Sequence, residues 1–268
     1  MGVPYLMGMD WNDRARKDAF HYICSERKDW SLDSFFGSGE ADFERFVAPV
    51  LSRFGFDARE KTGLEIGCGV GRMTRSFSKH FARVLALDVS SEMLKRAREL
   101  NSDCKNVEWL LGDGQGFSQV PSQSVDYVFS YLVLQHVPTK DLALGHVDEM
   151  LRVLKPGGVF CFQFNSSLAS TMNWKGRLAW GLLDRLREPV FGLRLEGVGR
   201  KLASLAGWDF LQTGRTWRGA SLPVRDVLEI VWKSGGTVGA VPGWDTPMTW
   251  CCGQKAATPR LTDVIQAV

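Results

Sequence analysis

GLEIGCGVGRMTRSF, residues 63–77, is the stretch that decides the fold of this chain. Apolar residues at Leu64 and Ile66 lead into a glycine-rich turn that begins at Gly67, and apolar residues interrupted by charge follow the turn. This order predicts a strand, a tight turn and a helix with one buried face. Glycines let the backbone contact a ligand, and the first turn of a helix presents unpaired N–H groups with a partial positive charge. The stretch therefore predicts a site for a nucleotide-like or anionic ligand.

The spacing of the glycines argues against one large class of nucleotide sites. The dinucleotide fingerprint is G-x-G-x-x-G, and its third glycine, counted from Gly67, would fall on Arg72. This motif has instead an acidic residue, Glu65, two positions before the first glycine. In this it resembles the first motif of the class I S-adenosylmethionine-dependent methyltransferases, and the resemblance implies a set of cofactor contacts: Glu65, Gly67, Cys68, Gly69 and Arg72. An ordinary strand-to-helix turn without a ligand is the alternative at this point.

A second strand, ARVLALDVS at residues 82–90, ends in Asp88, which stands 21 positions after the first glycine of the turn. An acidic side chain about 20 residues beyond the glycine turn of a βαβ unit accepts hydrogen bonds from ribose hydroxyls. Asp88 fits this role, and the resemblance implies Val89 and Met93 as further cofactor contacts. Capping of the next helix is the other role open to Asp88, although Ser90 can supply that cap.

The third strand, NVEWLLGDG at residues 106–114, ends at Asp113 and Gly114. An acceptor at this strand end can bind the exocyclic amino group of adenine, which is the role of the corresponding acidic residue in the resembled family. An Asp-Gly pair is also a common turn sequence without any ligand. The position of Asp113 one strand beyond Asp88 favours the cofactor role for Asp113 and Gly114.

A fourth and a fifth strand complete the resemblance. VDYVFSYLVLQHVP, residues 125–138, predicts an apolar strand that ends near its Ser-Tyr pair and runs into a helical turn. Residues 151–164 predict a helix end, a Pro-Gly-Gly turn and another strand. The order of the five blocks is similar to that of small bacterial class I methyltransferases across residues 63–164. The resemblance adds three residues of the fourth block to the predicted cofactor site: Ser130, Tyr131 and Gln135.

His136 follows the fourth strand and is the candidate general base for methyl transfer to a hydroxyl acceptor. The other histidines, His21, His80 and His146, lie on predicted helices away from the strand ends. Packing against Gln135 at a helix end is the alternative role for His136. No acidic residue ends the fourth strand and no group of carboxylates is gathered for Mg²⁺, so we expect a metal-independent reaction.

The chain as a whole predicts an α/β fold, a Rossmann-like doubly wound sheet of seven strands with two helical additions. Residues 1–55 form an N-terminal helical extension, and residues 56–164 form the S-adenosylmethionine-binding core. Residues 165–221 form a helical cap or lid inserted after the fifth strand, at the sheet edge where ligands bind in such folds. Residues 222–268 return to the core with one helix and the last two strands, which pair as a hairpin.

Two helices are predicted in the N-terminal extension, around residues 14–25 and 40–54, with a loop at residues 30–39 between them. The aromatic residues of this extension either pack on the core or form a flap over the cofactor. With the flap, Tyr22 would contact the substrate.

The insertion at residues 165–221 is strongly basic. It carries nine Lys and Arg residues against four Asp and Glu residues, a net charge of +5, whereas the whole chain has a net charge of +3. These charges either form the solvated face of amphipathic helices or recognise a carboxylate, a phosphate or a carrier-bound substrate. We expect the segment to act as a mobile lid, with Trp217 and Arg218 facing the pocket and contacting the substrate.

The composition argues against several other classes of protein. With 44% hydrophobic and 24% charged residues the chain is ordinary for a globular protein, and its net charge gives no strong attraction to nucleic acid or to a membrane surface. The six cysteines form no C-x-x-C pair, and no apolar run reaches the roughly 18 residues of a membrane span. We therefore expect a cytoplasmic monomer or homodimer without nucleic-acid or membrane partners.

These observations predict an enzyme that uses S-adenosyl-L-methionine to methylate an oxygen, nitrogen or carbon atom of a small molecule, with an anionic substrate as one option. Two other functions stay open from the sequence. A protein of this fold can bind S-adenosylmethionine without transferring methyl, for example as a pericyclase, and a nicotinamide-dependent oxidoreductase can be built on a similar sheet. Arg72 at the place of the third glycine disfavours the oxidoreductase.

Overall fold

The computed structural model describes residues 3–27, 29–166, 219–243 and 246–257. The strands of these ranges are β1 (Thr62–Ile66), β2 (Arg83–Asp88), β3 (Val107–Leu111), β4 (Val125–Ser130), β5 (Leu154–Phe164), β6 (Gly236–Ala240) and β7 (Thr249–Lys255). The α-helices are α1 (Val3–Ile23), α2 (Leu32–Asp42), α3 (Ala48–Arg53), α4 (Thr74–His80), α5 (Ser91–Leu100), α6 (Lys140–Val153) and α7 (Val224–Lys233). A π-helical turn (Phe43–Val47) joins α2 to α3, and a 3₁₀ turn (Leu134–His136) follows β4.

The strands form one seven-stranded sheet in the order β3-β2-β1-β4-β5-β7-β6, which confirms the predicted fold class. Strands β1 to β5 pair in parallel, and β7 lies antiparallel between β5 and β6. The strand order reverses between β1 and β4. Ligands of open α/β sheets bind outside the carboxyl ends of the strands at such a reversal, so the topology places a site beside the glycine turn that follows β1.

Helices cover both faces of the sheet. Along β5, Phe160 and Phe162 pack into the cluster that includes α6 and α7, whereas Val159 and Cys161 pack into the cluster on the opposite face with α4 and the π-helical turn. Successive side chains of a strand point to opposite faces, so a strand covered on both sides is apolar at nearly every position. This explains the near-continuous apolar runs of the sequence.

The N-terminal extension differs from the prediction at residues 30–39, most of which belong to helix α2 and not to a loop. Ser31 caps this helix, and its Oγ accepts a hydrogen bond from the N–H of Ser34 at 3.2 Å. Gly39 lies within this helix, and the position needs glycine because a Cβ there would be 2.1 Å from the carbonyl oxygen of Arg72. The glycine thus lets α2 pack closely against the end of the glycine turn. The helix predicted over residues 40–54 is divided among α2, the π-helical turn and α3.

The helix and hairpin predicted after residue 222 are present as α7, β6 and β7. Residues 167–218 lie outside the described residues, and they include most of the predicted lid together with Trp217 and Arg218. Within the described ranges, no helix combines the length and the apolar character needed to cross a membrane.

Candidate functional site

A cavity of about 1070 Å³ lies at the carboxyl ends of β1, β2 and β4. Most of the residues predicted from the sequence line it: Tyr22, Glu65, Gly67, Cys68, Gly69, Arg72, Asp88, Val89, Met93, Gly114, Tyr131, Gln135 and His136. These residues come from five separate segments of the chain. The fold therefore gathers the predicted motifs around one space.

Two predicted cofactor residues do not line this cavity. Ser130 is fully buried, and its Oγ lies 3.4 Å from the carbonyl oxygen of Ile66 on the neighbouring strand. Asp113 is exposed because β3 ends two residues before it, and its Oδ1 accepts hydrogen bonds from the N–H groups of Gln115 at 2.8 Å and Gly116 at 3.2 Å. Asp113 thus stabilises a turn, and its predicted contact with adenine stays a prediction.

The glycine turn is fixed by the strand beside it. The N–H groups of Gly67 and Cys68 both donate to the carbonyl oxygen of Leu87, at 2.7 and 3.1 Å. Gly67 has a φ of +73°, and a Cβ at this position would lie 2.2 Å from Cγ2 of Val133. The turn therefore needs glycine at residue 67 for both its backbone conformation and its packing.

Asp88 joins the glycine turn to the start of α5. Its Oδ2 accepts the N–H of Gly69 and its Oδ1 accepts the N–H of Ser90, both at 2.8 Å. The side chain is buried, and burial raises the pKa of the carboxyl above its ordinary value while the two backbone N–H groups oppose that rise. Ser90 caps α5, as predicted, with its Oγ accepting from the N–H of Met93 at 3.1 Å. Asp88 is therefore held at the cavity wall and is not needed as the helix cap.

Glu65 is a buried carboxyl beneath the turn. Its Oε2 lies 2.5 Å from Oγ1 of Thr74, the first residue of α4. Burial raises the pKa of Glu65 to about 7, and the hydrogen bond from Thr74 and the nearby charge of Arg72 partly oppose that rise. A cation bound in the cavity would favour the ionised form of this carboxyl.

The raised pKa of Glu65 predicts how stability depends on pH in the ligand-free protein. Since the pKa of about 7 in the folded protein exceeds the ordinary glutamate value of 4.5, Glu65 stabilises the fold at low pH and loses that contribution as pH rises toward 7. Relative to the wild type, Glu65→Gln should therefore gain about 3 kcal/mol of unfolding free energy between about pH 4.5 and about pH 8. Urea unfolding at both pH values measures this change. A constant difference between the two proteins would show that folding does not raise the pKa of Glu65.

Arg72 connects the glycine turn to α2. Its Nη2 lies 2.7 Å from Oδ2 of Asp42, and its Nη1 donates to Oγ of Ser38 at 3.1 Å. Arg72 is almost fully buried, whereas Asp42 is partly exposed. Arg72 thus holds helix α2 of the N-terminal extension against the glycine turn. The motif did not predict this contact between distant segments.

Helix α1 forms part of the cavity wall through Met7 and Trp11. Asn12 anchors the helix, because its Oδ1 accepts from Oγ of Ser90 at 2.7 Å and from the N–H of Glu92 at 3.1 Å. The extension therefore packs on the core, and its Trp11 and Tyr22 line the cavity; a flap over the cofactor stays a prediction.

His136 ends the 3₁₀ turn after β4. Its ring stands edge to face against Trp11, with ring centres 5.4 Å apart, and its Nε2 is 3.3 Å from Nε2 of Gln135. The backbone beside it is tied to the far end of the insertion, because the N–H of Gly219 donates to the carbonyl oxygen of Gln135 at 2.7 Å. His136 thus lies where α1, β4 and the described end of the insertion meet.

His146 also lines the cavity, so the expectation that it lies away from the strand ends is wrong. It sits on the buried face of α6, at helical spacing from Ala143 and Met150. Its Nε2 lies 3.2 Å from the carbonyl oxygen of Gly114. The position of His146 within this apolar row was the sequence signal that marked it as buried.

The ionisable groups in the described wall of the cavity are mainly acidic. Four carboxyl residues face it, together with one arginine and two histidines: Glu26, Asp42, Glu65, Asp88, Arg72, His136 and His146. Within the described ranges, no three His, Cys, Asp or Glu side chains are grouped as a metal site. This wall favours a ligand with positive charge.

Comparison with known proteins identifies the segment that forms the site. Residues 64–162 match the family described as "Methyltransferase domain". The 2-methyl-6-phytyl-1,4-hydroquinone methyltransferase of Synechocystis sp. is 28% identical over 177 residues, which cover 64% of this chain and 54% of that protein. The malonyl-[acyl-carrier protein] O-methyltransferase of Enterobacter lignolyticus is 31% identical over 165 residues, covering 62% of this chain and 59% of that protein. The chain thus spans little more than half the length of these two relatives.

A solved structure shares the fold over nearly the whole chain. Magnesium protoporphyrin IX methyltransferase from Synechocystis PCC 6803, determined with bound S-adenosylmethionine, superposes with a TM-score of 0.59 at 12% identity. The match covers 96% of this chain and 98% of that chain. At this identity the likeness concerns the fold alone.

Proposed function

We propose that this chain, whose residues 64–162 match the methyltransferase-domain family, is a class I methyltransferase that binds S-adenosylmethionine in the cavity and transfers its methyl group to a small molecule. The observation that carries the proposal is the joint placement of the glycine turn, Asp88 and Glu65 on one wall. S-adenosylmethionine is a cation with a nucleoside at one end and an ammonium group at the other. An acidic wall that follows a glycine turn supports a ligand of this kind.

The residues present fit this cofactor. Asp88 offers the remaining lone pairs of a buried carboxylate to the ribose hydroxyls, since each oxygen already accepts one backbone N–H. The glycine turn brings the backbone of Gly67 and Gly69 to the cavity surface. Glu65 lies beneath the turn with a pKa raised to about 7, and the positive charges of the ligand would favour its ionised form.

The main contribution of the protein to this reaction is to align the methyl acceptor with the cofactor. When bound, S-adenosylmethionine supplies an electrophilic methyl carbon on a sulfonium. The cavity wall holds the acceptor in line with that carbon and excludes water, and such orientation can contribute about 7–11 kcal/mol. For a hydroxyl acceptor, the imidazole of His136 takes the proton that leaves oxygen as the new bond forms. Trp11 and Gln135 contact the ring and set its orientation.

The residues around His136 limit the chemical class of the methyl acceptor. Asn165 and Ser221, at the two ends of the insertion, line the cavity together with Tyr22 and Gln135. These side chains suit a neutral polar or aromatic small molecule. The basic residue of the described wall, Arg72, is paired with Asp42, so recognition of an anionic acceptor would depend on the basic residues at 167–218.

Asp88→Ala should weaken binding of S-adenosylmethionine by about 1–3 kcal/mol, roughly 5- to 150-fold, because the ribose hydroxyls and the N–H of Gly69 lose a charged acceptor. Calorimetry on the folded variant measures the affinity. Asp57→Ala is the matched control, since Asp57 is an exposed acid outside the cavity wall. Equal affinities of the two variants would remove Asp88 from the cofactor site.

The proposed activity is tested by supplying labelled S-adenosylmethionine and a small-molecule extract of the source organism. We expect one product that carries the label and is heavier than its precursor by one CH₂ unit. Binding of the cofactor without labelled product in any fraction would favour a non-methylating role, in which the fold holds S-adenosylmethionine for another reaction.

A further inference from the structure

Gln163, near the carboxyl end of β5, is a buried polar side chain to which the proposed methyl transfer gives no role. It is 0% exposed and does not itself line the cavity. Its amide contacts three residues that do line the cavity: Leu132, Gln135 and Pro247. A buried amide with all its partners in place holds one orientation and imposes that orientation on its neighbours.

The backbone partners of Gln163 show which end of its amide is the oxygen. The N–H of Leu132 only donates, so the atom 3.1 Å from it is Oε1. The carbonyl oxygen of Pro247 only accepts, so the atom 2.7 Å from it is Nε2. Leu132 has a φ of +59°, a conformation that a residue with a side chain keeps only where its surroundings hold it. Gln163 thus fixes the turn after β4, and the turn fixes the amide.

The same reasoning extends from Gln163 to Gln135 and then to His136. Nε2 of Gln163 also donates to Oε1 of Gln135 at 3.4 Å, so the amide nitrogen of Gln135 is the atom that faces His136. This nitrogen lies 3.3 Å from Nε2 of His136, and because an amide nitrogen only donates, the ring nitrogen accepts. A neutral imidazole that accepts at Nε2 carries its proton on Nδ1.

We propose that Gln163 is a positioning residue that acts through Gln135 to fix the tautomer of His136, with the proton on Nδ1 and the lone pair on Nε2. The tautomer follows from the contacts of the two amides, whereas its effect on the rate of methyl transfer rests on the proposed function. A general base needs its lone pair on a defined ring nitrogen, and the other tautomer presents a proton at that place.

Nitrogen-15 NMR of the histidine rings measures the tautomer in the purified protein without any ligand. Spectra are recorded at about pH 8.5, where an imidazole with the ordinary pKa of about 6.5 is neutral. His146 is an internal reference of the opposite kind, because its Nε2 lies 3.2 Å from the carbonyl oxygen of Gly114 and must donate. We expect the proton on Nδ1 in His136 and on Nε2 in His146. Loss of signals in His136→Ala assigns them, and a wild-type His136 protonated on Nε2 would overturn the proposal.

Gln163→Glu should reverse the polarity of this chain of hydrogen bonds. One carboxyl oxygen still accepts the N–H of Leu132. The other carries at most one proton, which the nearer carbonyl oxygen of Pro247 accepts, so a lone pair faces Gln135. The amide of Gln135 then turns and presents its oxygen to Nε2 of His136. The ring proton should therefore move from Nδ1 to Nε2, and an unchanged tautomer in the folded variant would refute the proposal.

Gln254→Glu is the matched control. Gln254 lies on β7 of the same sheet, is part-buried, and donates from Nε2 to the carbonyl oxygen of Gly157 at 2.9 Å. It does not line the cavity, so this variant should leave the tautomer of His136 as it is in the wild type. A change of tautomer in Gln254→Glu equal to that in Gln163→Glu would show a general effect of a carboxyl in the sheet and would contradict the proposal.

Gln135→Met tests the same chain if Gln163→Glu does not fold. It leaves the bonds from Gln163 to Leu132 and Pro247 intact and removes only the donor that faces His136. We expect the ring of His136 to populate both tautomers in this variant. A ring that keeps its proton entirely on Nδ1 would overturn the proposal, and thermal unfolding shows whether each variant is folded.

The rate of methyl transfer to a hydroxyl acceptor is the second measurement. Gln163→Glu should lower the single-turnover rate by about tenfold or more, with the affinity for S-adenosylmethionine unchanged within about twofold. A purely structural role does not produce this split, and a rate equal to that of Gln254→Glu would refute the positioning role. A wild type without methyl transfer would instead refute the proposed function, while the tautomer measurement still decides the inference about Gln163.

Discussion

Replacement of His136 by alanine is expected to slow methyl transfer to a hydroxyl acceptor by roughly 10²–10⁴-fold, because the proton that leaves oxygen loses its positioned acceptor. Affinity for the cofactor should change little, since the contacts proposed for the ribose and the ammonium group come from Asp88 and Glu65. The rate is measured under single-turnover conditions with saturating cofactor, so that binding and chemistry are separated.

A structural role for His136 predicts a different pattern. The ring packs edge to face against Trp11, and its loss can disturb α1 without any effect on proton transfer. Added imidazole should restore part of the rate of His136→Ala when the residue is a base, and it should have no effect when packing alone is lost. A rate loss of about tenfold or less would show that orientation suffices, as expected for an acceptor that is already a free nucleophile.

Gly67→Ala is expected to lower the unfolding free energy by about 2–5 kcal/mol. A residue with a side chain pays about 1–2 kcal/mol for the left-handed backbone at φ +73°, and overpacking against Val133 adds about 1–3 kcal/mol. Affinity for the cofactor should fall as well, because the displaced turn no longer presents its backbone to the bound cofactor. Urea unfolding and calorimetry measure the two effects.

Gly145→Ala is the matched control for this substitution. Gly145 lies exposed inside α6, and a Cβ there meets nothing within 4 Å. Alanine at this position should raise the unfolding free energy by about 0.5–1 kcal/mol through its better helix propensity. Equal effects at the two glycines would contradict the strain that we assign to Gly67.

The parts of the fold that were predictable are those with a local pattern. Glycine spacing and the apolar runs located β1, β2, β4 and β5, since a doubly covered strand is apolar along its length. Asp88 was found because its place at a strand end follows from that spacing. By contrast, α2 was missed because Gly39 serves a contact with Arg72, more than 30 residues away, that no local pattern shows.

The sequence predicted the part of the site that the backbone of the glycine turn forms. It predicted less well the contacts that side chains make. Asp113 has the expected position along the chain, but β3 ends two residues before it and its Oδ1 accepts from the N–H of Gln115, a turn contact that the strand pattern did not predict. His146 lines the cavity because tertiary packing places it beside the residues that follow β3, with its Nε2 3.2 Å from the carbonyl oxygen of Gly114. The salt bridge between Arg72 and Asp42 likewise joins segments that only the folded chain brings together.

The central claim is that this cavity holds S-adenosylmethionine, and calorimetry with the purified chain tests it most directly. We expect binding of S-adenosylmethionine and of S-adenosylhomocysteine, and no binding of NAD or NADP, because the third glycine of the dinucleotide fingerprint is replaced by the buried Arg72. Binding of NAD or NADP without binding of S-adenosylmethionine would contradict the account.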